Sequence, residues 1–238
     1  MQDLQPRHHE RGNALLYILI AIALVAALSY AVSQSGRGNI GQLNQERARL
    51  LATEIIEYSN TMANAVAQLR LRGVKETELC FDHPSWGGGN YDHAGCVDDI
   101  NKIFSVSGAG LIWSRPPPEA MDSAATPDNL WHIYGNNEID RVGTTCGGAS
   151  CVDLILVVDE LNVTTCTEIN DLLGIDNPGG APPTDTDFST TNYLGTFVYT
   201  AKIGDEAGGE EIQGQPSACF EKTAAPAKYA FYKVLLAR

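Results

Sequence analysis

From Ala14 to Val32 the chain carries no charged residue, no glycine and no proline, and ten of those positions are Leu, Ile or Val. As a helix rising about 1.5 Å per residue, this run is roughly 28 Å long, close to the hydrocarbon thickness of a bilayer. Burying those side chains in lipid is favourable by roughly 3–6 kcal/mol on an insertion scale. A soluble helix needs one apolar face, whereas this one is apolar all round. The expectation is a membrane segment, with everything beyond it built as a separate exported body.

What precedes and follows the run separates three readings. The leader MQDLQPRHHERG carries Arg7 and Arg11, so an uncleaved anchor keeps the N-terminus on the cytoplasmic side. A cleaved secretory signal needs only a 7–15-residue apolar core and a small-residue exit, for which Ser29-Tyr30-Ala31 serves. The third reading uses the order of parts: short basic leader, Gly12, apolar helix, a glycine-rich break at 36–42, then a second helical pattern. In that pattern Leu51, Ile55, Tyr58, Met62, Val66 and Leu69 recur at three- and four-residue steps. Glu46, Glu54 and Glu57 lie toward its start, Arg70 and Arg72 at its end, and Gly73 where a C-terminal cap belongs.

This order resembles the N-terminal segment of type IV pilins and type II secretion pseudopilins over roughly residues 7–73. The resemblance implies cleavage by a prepilin peptidase after Gly12, which leaves Asn13 at the new N-terminus. It implies single-pass insertion in a bacterial inner membrane, with the N-terminus cytoplasmic and the C-terminal domain periplasmic or extracellular. It also implies other pilin-like subunits as partners. Two positions depart from the family. Asn13 stands where Phe or Met is usual, and Tyr17 stands at the fifth mature position, where the family has a Glu that pairs with a neighbour's terminal amine. A tip subunit of such filaments also lacks that Glu, so the departure points to a minor rather than a major component.

The expected organisation is a leader at 1–12, a transmembrane helix at 13–35, a glycine-rich neck at 36–42, an amphipathic helix at 43–73 and an acidic α+β domain at 74–238. Residues 1–75 carry a net charge of +3 and residues 76–238 a net of −16. So acidic a domain lacks the Lys and Arg that displace counterions from nucleic acid, which excludes that partner class. In the domain, Val152–Val158, Leu194–Ile203 and Tyr229–Leu236 read as strands. Thr165-Cys166-Thr167-Glu168 reads as a capping box opening a short helix that ends before Gly174. Gly204–Gly209 reads as a turn, and Pro116-Pro117-Pro118 as part of a surface loop. The fold class is α+β: a long N-terminal membrane and amphipathic helix packed on an antiparallel sheet, with long disulfide-tied loops.

All six cysteines lie beyond the apolar run, at 80, 96, 146, 151, 166 and 219. An even count on an exported side suggests disulfides, and 15 pairings are open. The preferred set is Cys80 with Cys96, Cys146 with Cys151, and Cys166 with Cys219. Competing with the first pair is a mirrored Cys-x2-His…His-x2-Cys pattern of Cys80, His83, His93 and Cys96, a donor set suited to tetrahedral zinc if the thiols stay reduced. Asp176, Asp185 and Asp187, on and after an Asn-Pro-Gly-Gly turn, are oxygen donors of the kind calcium takes, although their spacing matches no EF-hand.

No nucleophile elbow, phosphate-binding loop or H-E-x-x-H is present, so no enzyme is expected, and no resident cofactor beyond the two cation options. The rival function is an anchored periplasmic binding module, whose loops around Trp86, Trp113 and Trp131 recognise a ligand.

Overall fold

The computed structural model describes residues 13–86, 90–124, 130–224 and 227–238. The chain divides into two units, residues 1–46 and 47–238. Gly12, the expected processing position, lies outside the described residues, as do the side chains of Asn13, Ala14, Val32 and Trp86.

Helix α1 runs Asn13–Leu71. The glycine-rich stretch at 36–42 predicts a break, yet the helix continues through it. Each glycine costs about 1 kcal/mol relative to alanine in a helix. Propagation between two flanking helical stretches avoids the larger cost of nucleating a new helix. In the first unit every side chain from Leu16 to Tyr30 is exposed. Among the described residues no helix is long and apolar enough to cross a membrane.

In the second unit the three- and four-residue pattern is a buried stripe. Ala52, Ile55, Met62, Val66 and Leu69 are fully or nearly fully buried. The helix stops where predicted: Gly73 takes φ +91°, and the Val74 N–H reaches back to the Leu69 carbonyl at 3.1 Å. A side chain at position 73 would be strained in that backbone conformation.

The stripe packs on a curled five-stranded sheet of order β3-β1-β2-β5-β4. Its strands are β1 (Trp131–Ile139), β2 (Asp153–Leu161), β3 (Ala201–Ile203), β4 (Ser217–Ala224) and β5 (Ala227–Leu236). All neighbouring pairs are antiparallel except β1 with β3. Leu154, Leu156 and Val158 of β2 join Ile133 and Phe231 in the α1-facing core, while Ile155 and Val157 join Tyr232, Phe220 and Ile203 on the other face. Two covered faces explain why β2 reads as an unbroken apolar run rather than an alternation.

Three expectations change. The second helix, α2, is Val163–Leu173, and its N-cap is Asn162, whose side chain accepts the Thr165 N–H at 2.8 Å. The capping-box reading started the helix too late because Asn162 supplies the acceptor that Thr165 was expected to provide. Of the strand expected over 194–203, only Ala201–Ile203 forms. Residues 194–200 follow β1 irregularly, with Val198 and Thr200 donating to the Gly135 and Asn136 carbonyls, beside the register shift that bulges β1 between Tyr134 and Asn137. Pro116 and Pro117, expected at the surface, are buried.

Candidate functional site

The second unit places a groove of about 550 Å³ beside α1, lined on the helix side by Tyr58, Thr61, Asn64, Ala65 and Gln68 and on the other by residues 109–112 and Ser114. One aromatic residue, Tyr58, lines the groove, and the buried Trp131 backs it. Tyr58 stacks on Trp131, and its hydroxyl donates to the Ile112 carbonyl and accepts the Ser114 N–H, both at 3.2 Å. Trp131 Nε1 donates to the Ser114 carbonyl at 3.0 Å. A strap of irregular backbone is thereby fastened to the helix and the sheet through side chains, as a segment without its own ladder requires. Burial pushes the Tyr58 hydroxyl above its usual range, partly offset by the Ser114 N–H it accepts. Ile112 stands exposed at the lip.

Of the three tryptophans expected to form a recognition surface, Trp131 is core and Trp113 lies flat on His83, ring centroids 5.1 Å apart. Phe104 meets both rings edge-on. Burial lowers the His83 pKa against the opposing pull of Asp82.

The zinc pattern is not assembled. Cys80 and Cys96 are joined in a disulfide. His93 Nδ1 accepts the Gly95 N–H, and its Nε2 lies 3.0 Å from the Leu79 carbonyl. Disulfides also join Cys146 to Cys151 and Cys166 to Cys219. These are the preferred pairings, and no thiol is free to act as a nucleophile or ligand. His132 lies parallel to Tyr134 on β1, ring centroids 5.8 Å apart.

The aspartates play separate parts. Asp176 is exposed beyond α2. Asp185 is fully buried, with one oxygen accepting the Gly204 N–H at 2.5 Å and the other the Asp187 N–H at 3.1 Å. Asp187 accepts the Lys202 N–H at 3.0 Å. Desolvation, reinforced by Glu206 and Asp205, pushes Asp185 up to about 7 against those two N–H donors. Among the described residues, neither the three aspartates nor the Cys/His set comes close enough to share an ion.

Sequence reasoning missed a second buried carboxylate, Glu138 on β1, fully enclosed beside the Cys146–Cys151 loop. Asn136 and Asn137 next to it are also buried. Asn137 exchanges 2.9 Å hydrogen bonds with both the N–H and the carbonyl of Ser189. The run Asn-Asn-Glu-Ile-Asp was a usable signal, since polar residues enter a core only where they are satisfied or functional.

No family model matches the chain, and neither the curated proteins nor the solved structures provide a match.

Proposed function

We propose that this chain is a minor pilin-like or pseudopilin-like subunit, held in a bacterial inner membrane by its N-terminal helix and joined to other such subunits in a type IV-family filament or secretion pseudopilus. The observation that carries the reading is the change of character along α1. Ten large apolar or aromatic side chains between Leu16 and Tyr30 are exposed, around the whole circumference of the helix. Each costs on the order of 1.5–3 kcal/mol to leave in water, so this stretch calls for a lipid or protein environment. Beyond Arg47 the same helix instead buries a single stripe in an acidic, disulfide-bonded α+β body. Support also comes from the Gly12–Asn13 junction after a leader that places Arg7 and Arg11 close before it, and from the absence of charge over residues 14–32.

Ala23, Ala27 and Ala31 recur at four-residue steps, a small-residue spacing that lets membrane helices approach closely. Tyr17 in place of a glutamate favours a special position over the repeating one, because it needs no amine from a preceding subunit. The anchored binding module draws less support: Trp131 belongs to the core and Trp113 is packed against His83.

Co-purification tests the assignment. A tagged chain extracted in mild detergent should bring down pilin-like subunits of its own cell. Repeated recovery of the chain without any of them contradicts the filament role.

A further inference from the structure

The Cys146–Cys151 disulfide differs from the other two in its surroundings. Cys146 is exposed, whereas Cys80, Cys96, Cys166 and Cys219 are all buried. It closes the loop Cys146-Gly147-Gly148-Ala149-Ser150-Cys151, and Gly147 there takes φ +66°. Beneath the loop lies Glu138, fully buried. Its Oε2 accepts the Gly147 N–H at 2.7 Å, and its Oε1 has no hydrogen-bond partner. The nearest cation to Oε1 is Lys202, at 3.8 Å, and that ammonium is drawn to Asp140 at 2.7 Å. A buried carboxylate oxygen without a donor is costly and calls for a cation. The two sulfurs and one Glu138 oxygen all lie within 4.8 Å of one another.

We infer that Cys146, Cys151 and Glu138 form a redox-gated site for a thiophilic divalent cation such as zinc, closed while the disulfide is intact and opened by a small dithiol. The exchange balances: the external dithiol becomes a disulfide, and its two electrons and two protons pass to Sγ of Cys146 and Sγ of Cys151. Metal binding then releases both thiol protons to solvent, and two thiolates and one carboxylate face the cation. The Cys-x4-Cys spacing is within the range of zinc ligand pairs, and water completes a tetrahedral set. The donors carry three negative charges, so the loaded site has a net charge of −1, which Lys202 is placed to offset. The two loop glycines give the backbone freedom to let the sulfurs part. This inference stands apart from the filament reading and neither supports nor needs it.

The test uses the full chain under native conditions. After brief treatment with a small dithiol, alkylation and peptide mapping should label Cys146 and Cys151 ahead of the other four. Cobalt(II) added to that form should give one equivalent of a thiolate-to-cobalt charge-transfer band, displaced by zinc. Glu138→Gln, which keeps an acceptor for the Gly147 N–H, should weaken cobalt binding at least tenfold. X-ray absorption of the wild-type cobalt form should find two sulfur donors with oxygen completing the shell, and this reads the ligand set even if Glu138→Gln fails to fold. Equal labelling of all six cysteines, no charge-transfer band, a shell without both sulfurs, or unchanged affinity in a folded Glu138→Gln protein would each overturn the inference.

Discussion

The Tyr58 ring lies on the Trp131 ring, centroids 5.0 Å apart and planes 27° from parallel. One residue belongs to α1 and the other opens β1, and both hold the 112–114 strap by hydrogen bonds. Tyr58→Phe keeps the stack and removes two hydrogen bonds, so it should cost about 1–2 kcal/mol in urea unfolding. Trp131→Ala should cost about 3–5 kcal/mol, since it empties a core position. Limited proteolysis should cut the strap faster in Tyr58→Phe than in wild type, and an unchanged cleavage rate would mean that the hydroxyl does not fasten it.

Two buried aspartates carry the larger pH-dependent contributions between pH 5 and pH 8, and His83, whose pKa burial lowers, opposes them in part. Asp153, held by the Ile139 and Arg238 N–H groups, is pushed up to about 6, chiefly by desolvation, and Asp185 is pushed up to about 7. A carboxyl whose folded pKa exceeds its unfolded value binds its proton more tightly in the fold. Its contribution is complete below about pH 4 and is lost as pH rises through the folded value. These two groups should therefore make the folded domain less stable at pH 8 than at pH 5. Urea midpoints at the two values check this, and Asp185→Asn should flatten the part of the slope near pH 7. A midpoint that rises from pH 5 to pH 8 would contradict the assignment.

The disulfides should rank by the chain they close. Cys166 and Cys219 are 53 residues apart, Cys80 and Cys96 16, and Cys146 and Cys151 only 5. Loop entropy predicts losses of about 4, 3 and 2 kcal/mol when each pair is replaced by alanine. The largest loss also falls where Asn170 bonds both the N–H and the carbonyl of Cys219 at 2.9 Å, fixing α2 to β4. Thermal unfolding of the three double variants reads the order, and a smaller loss for Cys166/Cys219 than for Cys146/Cys151 would contradict it.

Much of this architecture is legible in the residues because burial writes a period into them. The α1 stripe shows its three- and four-residue step, and Val152–Val158 announces a strand covered on both faces. β1 hides because Gly135, Asn136, Asn137 and Glu138 break the apolar pattern at a bulge, and the partners of these polar groups, such as Ser189 for Asn137 and Gly147 for Glu138, lie farther along the chain. β4 hides because its Ser-Ala-Cys start and Glu-Lys-Thr end look like loop, and pairing with β5 makes it a strand. The groove beside α1 is invisible to any local pattern, since Tyr58 and Ile112 meet only after folding.

Tyr17→Glu bears on the position within a filament. The residue lies near the N-terminal end of the apolar run. On the proposed pilin-like reading this is the cytoplasmic end, where a carboxylate costs less than the roughly 2.5–3.5 kcal/mol it would cost at a membrane centre. The variant should remain in the membrane through carbonate extraction and co-purify with other subunits no less than wild type. Loss of membrane association would place Tyr17 deeper than this account allows.

The central claim is tested most directly by N-terminal sequencing of the protein extracted from membranes. The pilin-like reading predicts a mature chain that begins at Asn13, cut after Gly12. An intact Met1 or a start near Val32 would contradict it.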